Sequence, residues 1–98
     1  MTRFTVVVVP DAEAELREAF LWYFDKSPLA ADAFGTEVDN AIDGLEETAA
    51  DWPKDEHGLH FYHLKRFPYT LRYEVAESEV TVLAVAHQRR APSYWDKR

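Results

Sequence analysis

The chain has 98 residues, a formal net charge of −7 and no cysteine. That length suits a single domain over residues 1–98, and the lack of cysteine excludes a disulfide framework, a cysteine-based zinc site and a thiol nucleophile. The acidic surplus argues against direct, specific DNA binding, because neutralising phosphates requires Lys and Arg. The apolar runs are too short for a membrane span or a signal-peptide core, so we expect a cytoplasmic protein without membrane association.

The charge is divided unevenly along the chain. Residues 1–58 contain 4 basic and 14 acidic side chains, whereas residues 59–98 contain 7 basic and 4 acidic ones. The balances are therefore −10 and +3. This asymmetry predicts two different faces, with the basic one formed by the C-terminal part of the chain.

The N-terminal part of the chain predicts a strand followed by a helix. Residues 4–9 (FTVVVV) are rich in β-branched side chains and end at Pro10, which suits a strand covered on both faces. Asp11 stands where an N-cap belongs, so we expect a helix over residues 12–25. The apolar face of this helix, with spacings of three and four, comprises Ala12, Leu16, Ala19, Phe20 and Tyr23.

Ser27 and Pro28 predict the start of a second helix, since Ser can accept from free N–H groups and Pro fits the first helical position. Its apolar stripe comprises Phe34, Val38, Ala41, Ile42 and Leu45. The opposite, acidic face is interpreted as solvated and comprises Asp32, Glu37, Asp39, Asp43, Glu46 and Glu47. The short connection between the helices predicts an antiparallel hairpin.

Three further strands are expected over residues 61–65, 69–75 and 80–87, with a break at Phe67-Pro68. The middle one alternates cleanly, which is typical of a half-buried strand, and the last is mostly apolar and therefore central. The order β-α-α-β-β-β predicts an α+β fold in which the helical hairpin covers one face of a mostly antiparallel four-stranded sheet.

Large aromatic side chains are expected in this helix–sheet contact. Those interpreted as core or core-edge residues are Trp22, Tyr23, Trp52 and Tyr62. A cluster of exposed aromatics would instead indicate a groove for a partner.

The histidines do not predict a metal centre. His57, His60 and His63 are three residues apart, but the run passes from a turn into a strand, where positions i and i+3 point to opposite sides. No metal site and no cofactor are therefore expected.

The end of the last strand carries the residues best suited to chemistry, in the sequence HQRRAPSYW (87–95). An imidazole, a phenol and guanidinium groups together can supply a proton acceptor, a proton donor and a phosphate clamp, as RNA cleavage requires. The alternative is a surface tail in which Tyr94 and Trp95 pack over the sheet edge and the arginines are solvated.

Several segments resemble the RelE/ParE superfamily of toxins from type II toxin–antitoxin modules, a group that includes plasmid stabilisation proteins. They are VVPDAEAELREAFLWY, the Ser27-Pro28 helix start, LKRFPYTLRYEV and AVAHQRRAPSYW. The resemblance covers nearly the whole chain in the right order. It implies a small growth-inhibiting toxin that is silenced by a cognate antitoxin.

The superfamily divides by mechanism. RelE-like members are ribosome-dependent mRNA endoribonucleases, whereas ParE-like members inhibit DNA gyrase. The resemblance aligns Lys65, Arg90 and Tyr94 with the catalytic lysine, a basic position and the tyrosine of the nucleases. Two other arginine positions of the nucleases fall at Thr70 and Gln88, and a neutral group cannot stabilise the charge of a phosphorane.

These departures favour a ParE-like toxin that acts by binding DNA gyrase, without catalytic residues. Its expected binding surface comprises Lys65, Arg72, His87, Arg89, Arg90, Tyr94 and Trp95. One alternative is a RelE-like nuclease acting on ribosome-bound mRNA, in which Arg72 compensates for Thr70 and the working set is Lys65, Arg72, His87, Arg90 and Tyr94. A further alternative is a non-toxic descendant that acts as an antitoxin-binding protein.

Overall fold

The computed structural model describes residues 3–89. The elements follow the predicted order. They are β1 (Thr5–Val8), α1 (Pro10–Lys26), α2 (Pro28–Thr48), a short 3-10 helix (Ala49–Asp51), β2 (His60–His63), β3 (Tyr69–Ala76) and β4 (Glu79–His87). Within residues 3–89, no helix is both long enough and apolar enough to cross a membrane.

The four strands form one sheet in the order β1-β4-β3-β2. The neighbours β4-β3 and β3-β2 are antiparallel, whereas β1 is parallel to β4. The connection from β1 to its parallel neighbour β4 runs through the helical hairpin, β2 and β3. The prediction of a mostly antiparallel sheet with β4 at its centre is confirmed, and the sheet as a whole is mixed.

β1 lies at the edge of the sheet and has one exposed face, so the prediction that it is covered on both faces is wrong. Its residues alternate between exposed and half-buried, and Val7 is 42% exposed. A run of four valines indicates a strand, but its place in the sheet depends on which strands pair in three dimensions.

α1 begins two residues earlier than predicted, and Asp11 is not its N-cap. Pro10 occupies the first turn, Val9 is the N-cap without a side-chain hydrogen bond, and Asp11 lies inside the first turn. Proline fits this position because its fixed φ is helical. An N–H group in the first turn has no acceptor within the helix, so proline loses no helical hydrogen bond there. The carboxylate of Asp11 instead lies at the positive end of the helix dipole.

Ser27 alone separates the two helices. Its N–H donates to the Tyr23 carbonyl at 2.7 Å, and its Oγ accepts from the Ala30 N–H at 3.3 Å. Pro28 follows as the first residue of α2. The predicted second helix start is thereby confirmed, and the extended backbone of Ser27 reverses the chain direction.

The core lies between the hairpin and one face of the sheet. Its largest fully buried side chains are Phe34, Leu45, Leu71, Tyr73, Val80, Val82 and Val85. Tyr73 donates its hydroxyl proton to the Ala49 carbonyl at 2.7 Å. Burial, and secondarily the charge of Asp51, raises the pKa of the Tyr73 phenol well above its usual range.

The opposite face of the sheet, here called the open face, is partly covered by the connection between residues 52 and 59. Leu59 packs against Ala84 and Ala86, which are both buried. One carboxylate oxygen of Asp55 accepts from the N–H groups of His57 at 2.8 Å and Leu59 at 3.0 Å. Asp55 therefore holds the turn that carries Leu59 over the open face.

Candidate recognition site

A cavity of about 190 Å³ lies between α1 and the ends of β3 and β4, on the helix side of the sheet. It is lined by Glu15, Glu18, Ala19, Trp22, Tyr69, Val85 and His87. The cavity lies between the end of the last strand and α1. The sequence predicts the binding surface at the end of that strand, and it predicts Trp22 of α1 to be a core residue.

Glu15 forms the base of this cavity. It is only 9% exposed, and its carboxylate accepts from the Val85 N–H at 2.9 Å. β1 ends at Val8, and the last backbone bond beside it runs from the Val9 N–H to the Val82 carbonyl at 3.1 Å. Beyond that point a side chain of α1 takes the place of a neighbouring strand beside β4.

His87 lies at the rim, with its ring edge-on to that of Tyr69 at 5.1 Å between centroids. Its Nδ1 accepts from the Arg89 N–H at 3.1 Å, so the neutral imidazole carries its proton on Nε2. Burial is the main cause that raises the pKa of Tyr69, with smaller effects from Tyr23 and Glu18. The Tyr69 phenol is therefore a neutral hydrogen-bonding group at physiological pH.

Trp22 is 58% exposed, so its prediction as a core residue is wrong. Its ring contacts Tyr23 edge-on at 5.1 Å, and the Lys26 Nζ lies 5.3 Å from the ring centroid. Trp52 is also exposed, at 38%, whereas Tyr23 and Tyr62 are half-buried as predicted.

Other exposed apolar side chains of the hairpin were missed by the sequence reasoning. They are Leu21 at 58%, Phe24 at 52% and Leu29 at 81%. The available signal was that Leu21, Trp22 and Phe24 do not belong to the apolar face read from residues 12 to 23. More apolar residues than one stripe can hold indicate a second, exposed face.

Lys65 lies in the loop after β2, and this loop is tied to α2. The backbone N–H groups of Lys65 and Arg66 both donate to the Glu37 carboxylate, and the Arg66 Nε lies 3.6 Å from it. Glu37 was predicted to be solvated, but its side chain is only 13% exposed. The Lys65 residue itself is exposed.

Arg72 lies on the open face and is held there by an ion pair. Its Nη1 lies 2.8 Å from the second carboxylate oxygen of Asp55, and its guanidinium lies 5.4 Å from the centroid of Phe61. The two side chains of the ion pair are only 20% and 14% exposed. Sequence reasoning missed Asp55 as a partner because the two residues lie 17 positions apart, on a turn and a strand.

Arg72 and His87 occupy opposite faces of the sheet. Tyr69 pairs with His87 and points to the helix side, whereas Arg72 is three positions further along β3 and pairs with Ala84 on the open face. The structure therefore does not bring these two members of the predicted working set together.

Thr70 and Gln88, the two positions that depart from the nuclease pattern, carry neutral side chains. Thr70 is 2% exposed and its hydroxyl lies 2.6 Å from the Nδ1 of His63. Gln88 is exposed, and its N–H donates to the Pro68 carbonyl at 2.9 Å. Arg90, Tyr94 and Trp95, which the sequence also assigns to the site, lie outside the described residues.

The histidines have separate surroundings. His60 is buried, stacks on Tyr73 at 5.2 Å and places its Nδ1 2.7 Å from the Trp52 carbonyl. His57 lies 3.7 Å from Glu56. Between residues 3 and 89, no three His, Cys, Asp or Glu side chains are grouped as metal ligands.

These elements define a small two-layer α+β domain with a helical hairpin on a mixed four-stranded sheet. The chain belongs to the ParE toxin family of the type II toxin–antitoxin system parDE, whose family model matches residues 6–92. A solved structure described as the chromosomal ParDE TA system from P. aeruginosa is similar in fold, with a TM-score of 0.75 and 18% identity. That similarity covers 87% of this chain and 96% of the other. A search of curated proteins found no match.

Proposed function

We propose that this toxin inhibits DNA gyrase by protein binding in the cytoplasm and that a cognate antitoxin neutralises it. Membership of the ParE toxin family supports the toxin assignment. The gyrase target and the neutralisation by an antitoxin are our inference from the resemblance to ParE-like toxins, and the arrangement of the side chains supports binding over RNA cleavage.

The observation that carries the proposal is the position of Arg72. Its guanidinium is bound to Asp55 on the open face, and His87 faces α1 on the other side of the sheet. A nuclease requires cationic and acid–base groups converging on one phosphate. This arrangement therefore favours binding over RNA cleavage.

The proposed contact surface is the rim of the α1–β4 cavity. It combines the exposed ring of Trp22 with His87, and the exposed residue Arg89 lies two positions after His87. Lys65 instead lines a separate pocket beside α2, together with Glu37. Aromatic and cationic side chains around a shallow cavity are typical of the energetically dominant residues of protein interfaces. We assign Arg90, Tyr94 and Trp95 to the same surface from their position in the sequence, whereas the charge of Arg72 is neutralised by Asp55.

Expression of the chain without its antitoxin tests the proposal. We expect growth arrest with induction of the SOS response and intact mRNA, because a blocked gyrase leads to damaged DNA. Cleavage of ribosome-bound mRNA without SOS induction would instead support the nuclease alternative. Unimpaired growth would support a non-toxic, antitoxin-binding descendant.

A further inference from the structure

The side of α1 that faces the end of β4 carries acidic and aromatic side chains around a small one. Glu15, Ala19 and Trp22 are four and three positions apart, so they lie in a row along the helix. All three line the α1–β4 cavity, and so does Glu18. Ala19 is 4% exposed, and its single methyl group takes little of the space between its two larger neighbours in the row. The cavity therefore has a carboxylate at one end of the row and an indole ring at the other.

The size of the cavity limits what it can hold. Its volume is about 190 Å³. Pockets for small-molecule ligands have volumes of about 300–1,000 Å³. The end of a single side chain from a partner protein therefore fits this cavity better than a free ligand does. The exposed ring of Trp22 at the rim makes the cavity accessible to such a side chain.

The electrostatics of the lining favour a positively charged group. Burial raises the pKa of Tyr69, and the charges of Tyr23 and Glu18 raise it further. The field of the Glu18 carboxylate therefore reaches the phenol inside the cavity. Within residues 3–89, no Lys or Arg side chain lines the cavity to balance this carboxylate. A phosphate group of a nucleic acid would be repelled here, whereas a basic side chain would be attracted.

Trp22 adds an aromatic surface that attracts cations. The Lys26 Nζ lies 5.3 Å from the centroid of the ring, so a cation of this chain already uses that attraction. Between the two basic side chains, arginine fits such a lining better than lysine. A guanidinium group is planar, stacks on aromatic rings and donates to a carboxylate through a fork of N–H groups. Glu18 and Trp22 are four positions apart on α1, so one guanidinium can contact both side chains.

We propose that the α1–β4 cavity binds an arginine side chain of DNA gyrase, whose guanidinium stacks on Trp22 and donates hydrogen bonds to Glu18. The identity of this partner rests on the proposed function. Glu15 presents a second carboxylate at the base, where the bond from the Val85 N–H at 2.9 Å holds it in place. The arginine thereby anchors gyrase at the centre of the proposed contact surface.

NMR of the full chain with small probes tests the cavity without gyrase. The cationic probe is Nα-acetylarginine amide, and its matched control is Nα-acetylcitrulline amide, which has nearly the same shape without the charge. At equal ionic strength, we expect the arginine probe to shift the indole N–H signal of Trp22 saturably at millimolar concentrations. The citrulline probe should leave this signal almost unchanged.

Three results of the probe experiment overturn the inference. They are equal shifts from the two probes, no shift from either probe, and shifts that appear when the concentration of the chain alone is raised. The last result would show that a second copy of the chain fills the cavity.

Two variants that each remove one negative charge test the contact with gyrase. Glu18→Gln removes the carboxylate at the cavity, whereas Glu13→Gln removes one from an exposed position of α1 that does not line it. We expect Glu18→Gln to weaken gyrase binding about five- to tenfold and Glu13→Gln less than about twofold, because only Glu18 bonds to the arginine. Equal affinities of the two variants would contradict the inference.

The two experiments separate this inference from the proposed function. If the arginine probe binds and gyrase does not, the proposed function fails and gyrase is the wrong partner, whereas the arginine-binding cavity stands. If the wild-type chain inhibits gyrase while both variants bind it equally and the arginine probe does not bind, the proposed function stands and this inference fails.

Discussion

At the scale of single residues, Asp55 determines what the open face presents to a partner. It accepts two backbone N–H groups and binds Arg72 at 2.8 Å, with little exposure of either side chain. The ion pair neutralises the positive charge that β3 would otherwise present. It also fixes the turn that places Leu59 over Ala84 and Ala86.

Replacing Asp55 by Ala should therefore destabilise the fold. The change leaves Arg72 without this carboxylate in a largely buried position, and we expect a loss of about 3 kcal/mol in the free energy of unfolding. Urea denaturation measures this loss. The matched control is Glu56→Ala, an adjacent carboxylate whose side chain is 84% exposed, which should change stability by less than about 0.5 kcal/mol. Equal effects of both variants would show that the ion pair contributes little.

Tyr73 makes stability depend on alkaline pH. Burial raises the pKa of its phenol in the folded state, so the unfolded chain releases this proton first as the pH rises. The contribution of Tyr73 is therefore fully present below pH about 10 and declines above it. Burial raises the pKa of Tyr23 and Tyr69 in the same direction.

Replacing Tyr73 by Phe tests this coupling. We expect a loss of about 1 kcal/mol at pH 7, because the hydrogen bond to the Ala49 carbonyl is absent. Between pH 9 and pH 11, on the order of a unit either side of the usual phenol pKa, the variant should lose less stability than the wild type. Thermal melting across this range measures both effects. If the melting temperature fell equally with rising pH in the variant and in the wild type, the coupling would be contradicted.

At the scale of elements, α1 completes the sheet where β1 ends. Glu15 supplies an acceptor to the Val85 N–H, beyond the last backbone bond between β1 and β4. A buried carboxylate on a helix therefore replaces a strand. The helix is positioned over the end of β4, which creates the cavity between Trp22 and His87.

Replacing Glu15 by Ala should cost about 1–3 kcal/mol, because the N–H of the buried residue Val85 loses this acceptor. Glu13→Ala, an exposed substitution one half-turn earlier on the same helix, should cost less than about 1 kcal/mol. Chemical denaturation gives the two free energies. If both substitutions had the same small effect, the bond to Val85 would not be important for α1 docking.

Sequence patterns predicted these elements well where the local signals were strong. Ser27-Pro28 gave the start of α2, and the alternation from Tyr69 to Val75 gave the two faces of β3. The patterns failed for β1 and for Asp11. A run of valines occurs in edge strands as well as in central ones. α1 begins at Pro10, so Asp11 lies inside the helix and is not its N-cap.

At the scale of the whole molecule, the cavity between α1 and β4 brings apolar and charged side chains together. Many acidic residues lie on the hairpin, and two of them, Glu15 and Glu18, line the cavity beside Trp22 and His87. The sequence predicts a basic binding surface at the end of β4. It did not predict that Trp22 would lie beside it, because this depends on how α1 crosses β4.

The cavity rim should be separable from the remaining exposed apolar surface. We expect Trp22→Ala and His87→Ala each to weaken gyrase inhibition about tenfold or more, since both residues line the proposed contact. Leu29→Ala removes a more exposed apolar side chain that does not line the cavity, and should change inhibition less than threefold. Titrated supercoiling assays, with circular dichroism to verify folding, compare the three variants. A larger effect of Leu29→Ala would indicate that gyrase contacts the start of α2 around Leu29 instead.

The dispersal of the nuclease-like residues also has a consequence for the whole molecule. Arg72 is paired on one face, His87 lies on the other, and Thr70 is a buried neutral group. The individual residue types suggested chemistry in the sequence, but only the register of β3 and β4 shows which of them share a face. These positions therefore favour binding to a protein target over RNA cleavage.

Supercoiling by purified DNA gyrase in the presence of the purified chain tests this account most directly. We predict that the chain inhibits supercoiling in proportion to its concentration and that prior addition of the antitoxin abolishes the inhibition. Unchanged supercoiling, together with cleavage of mRNA in a purified translation system, would contradict the account.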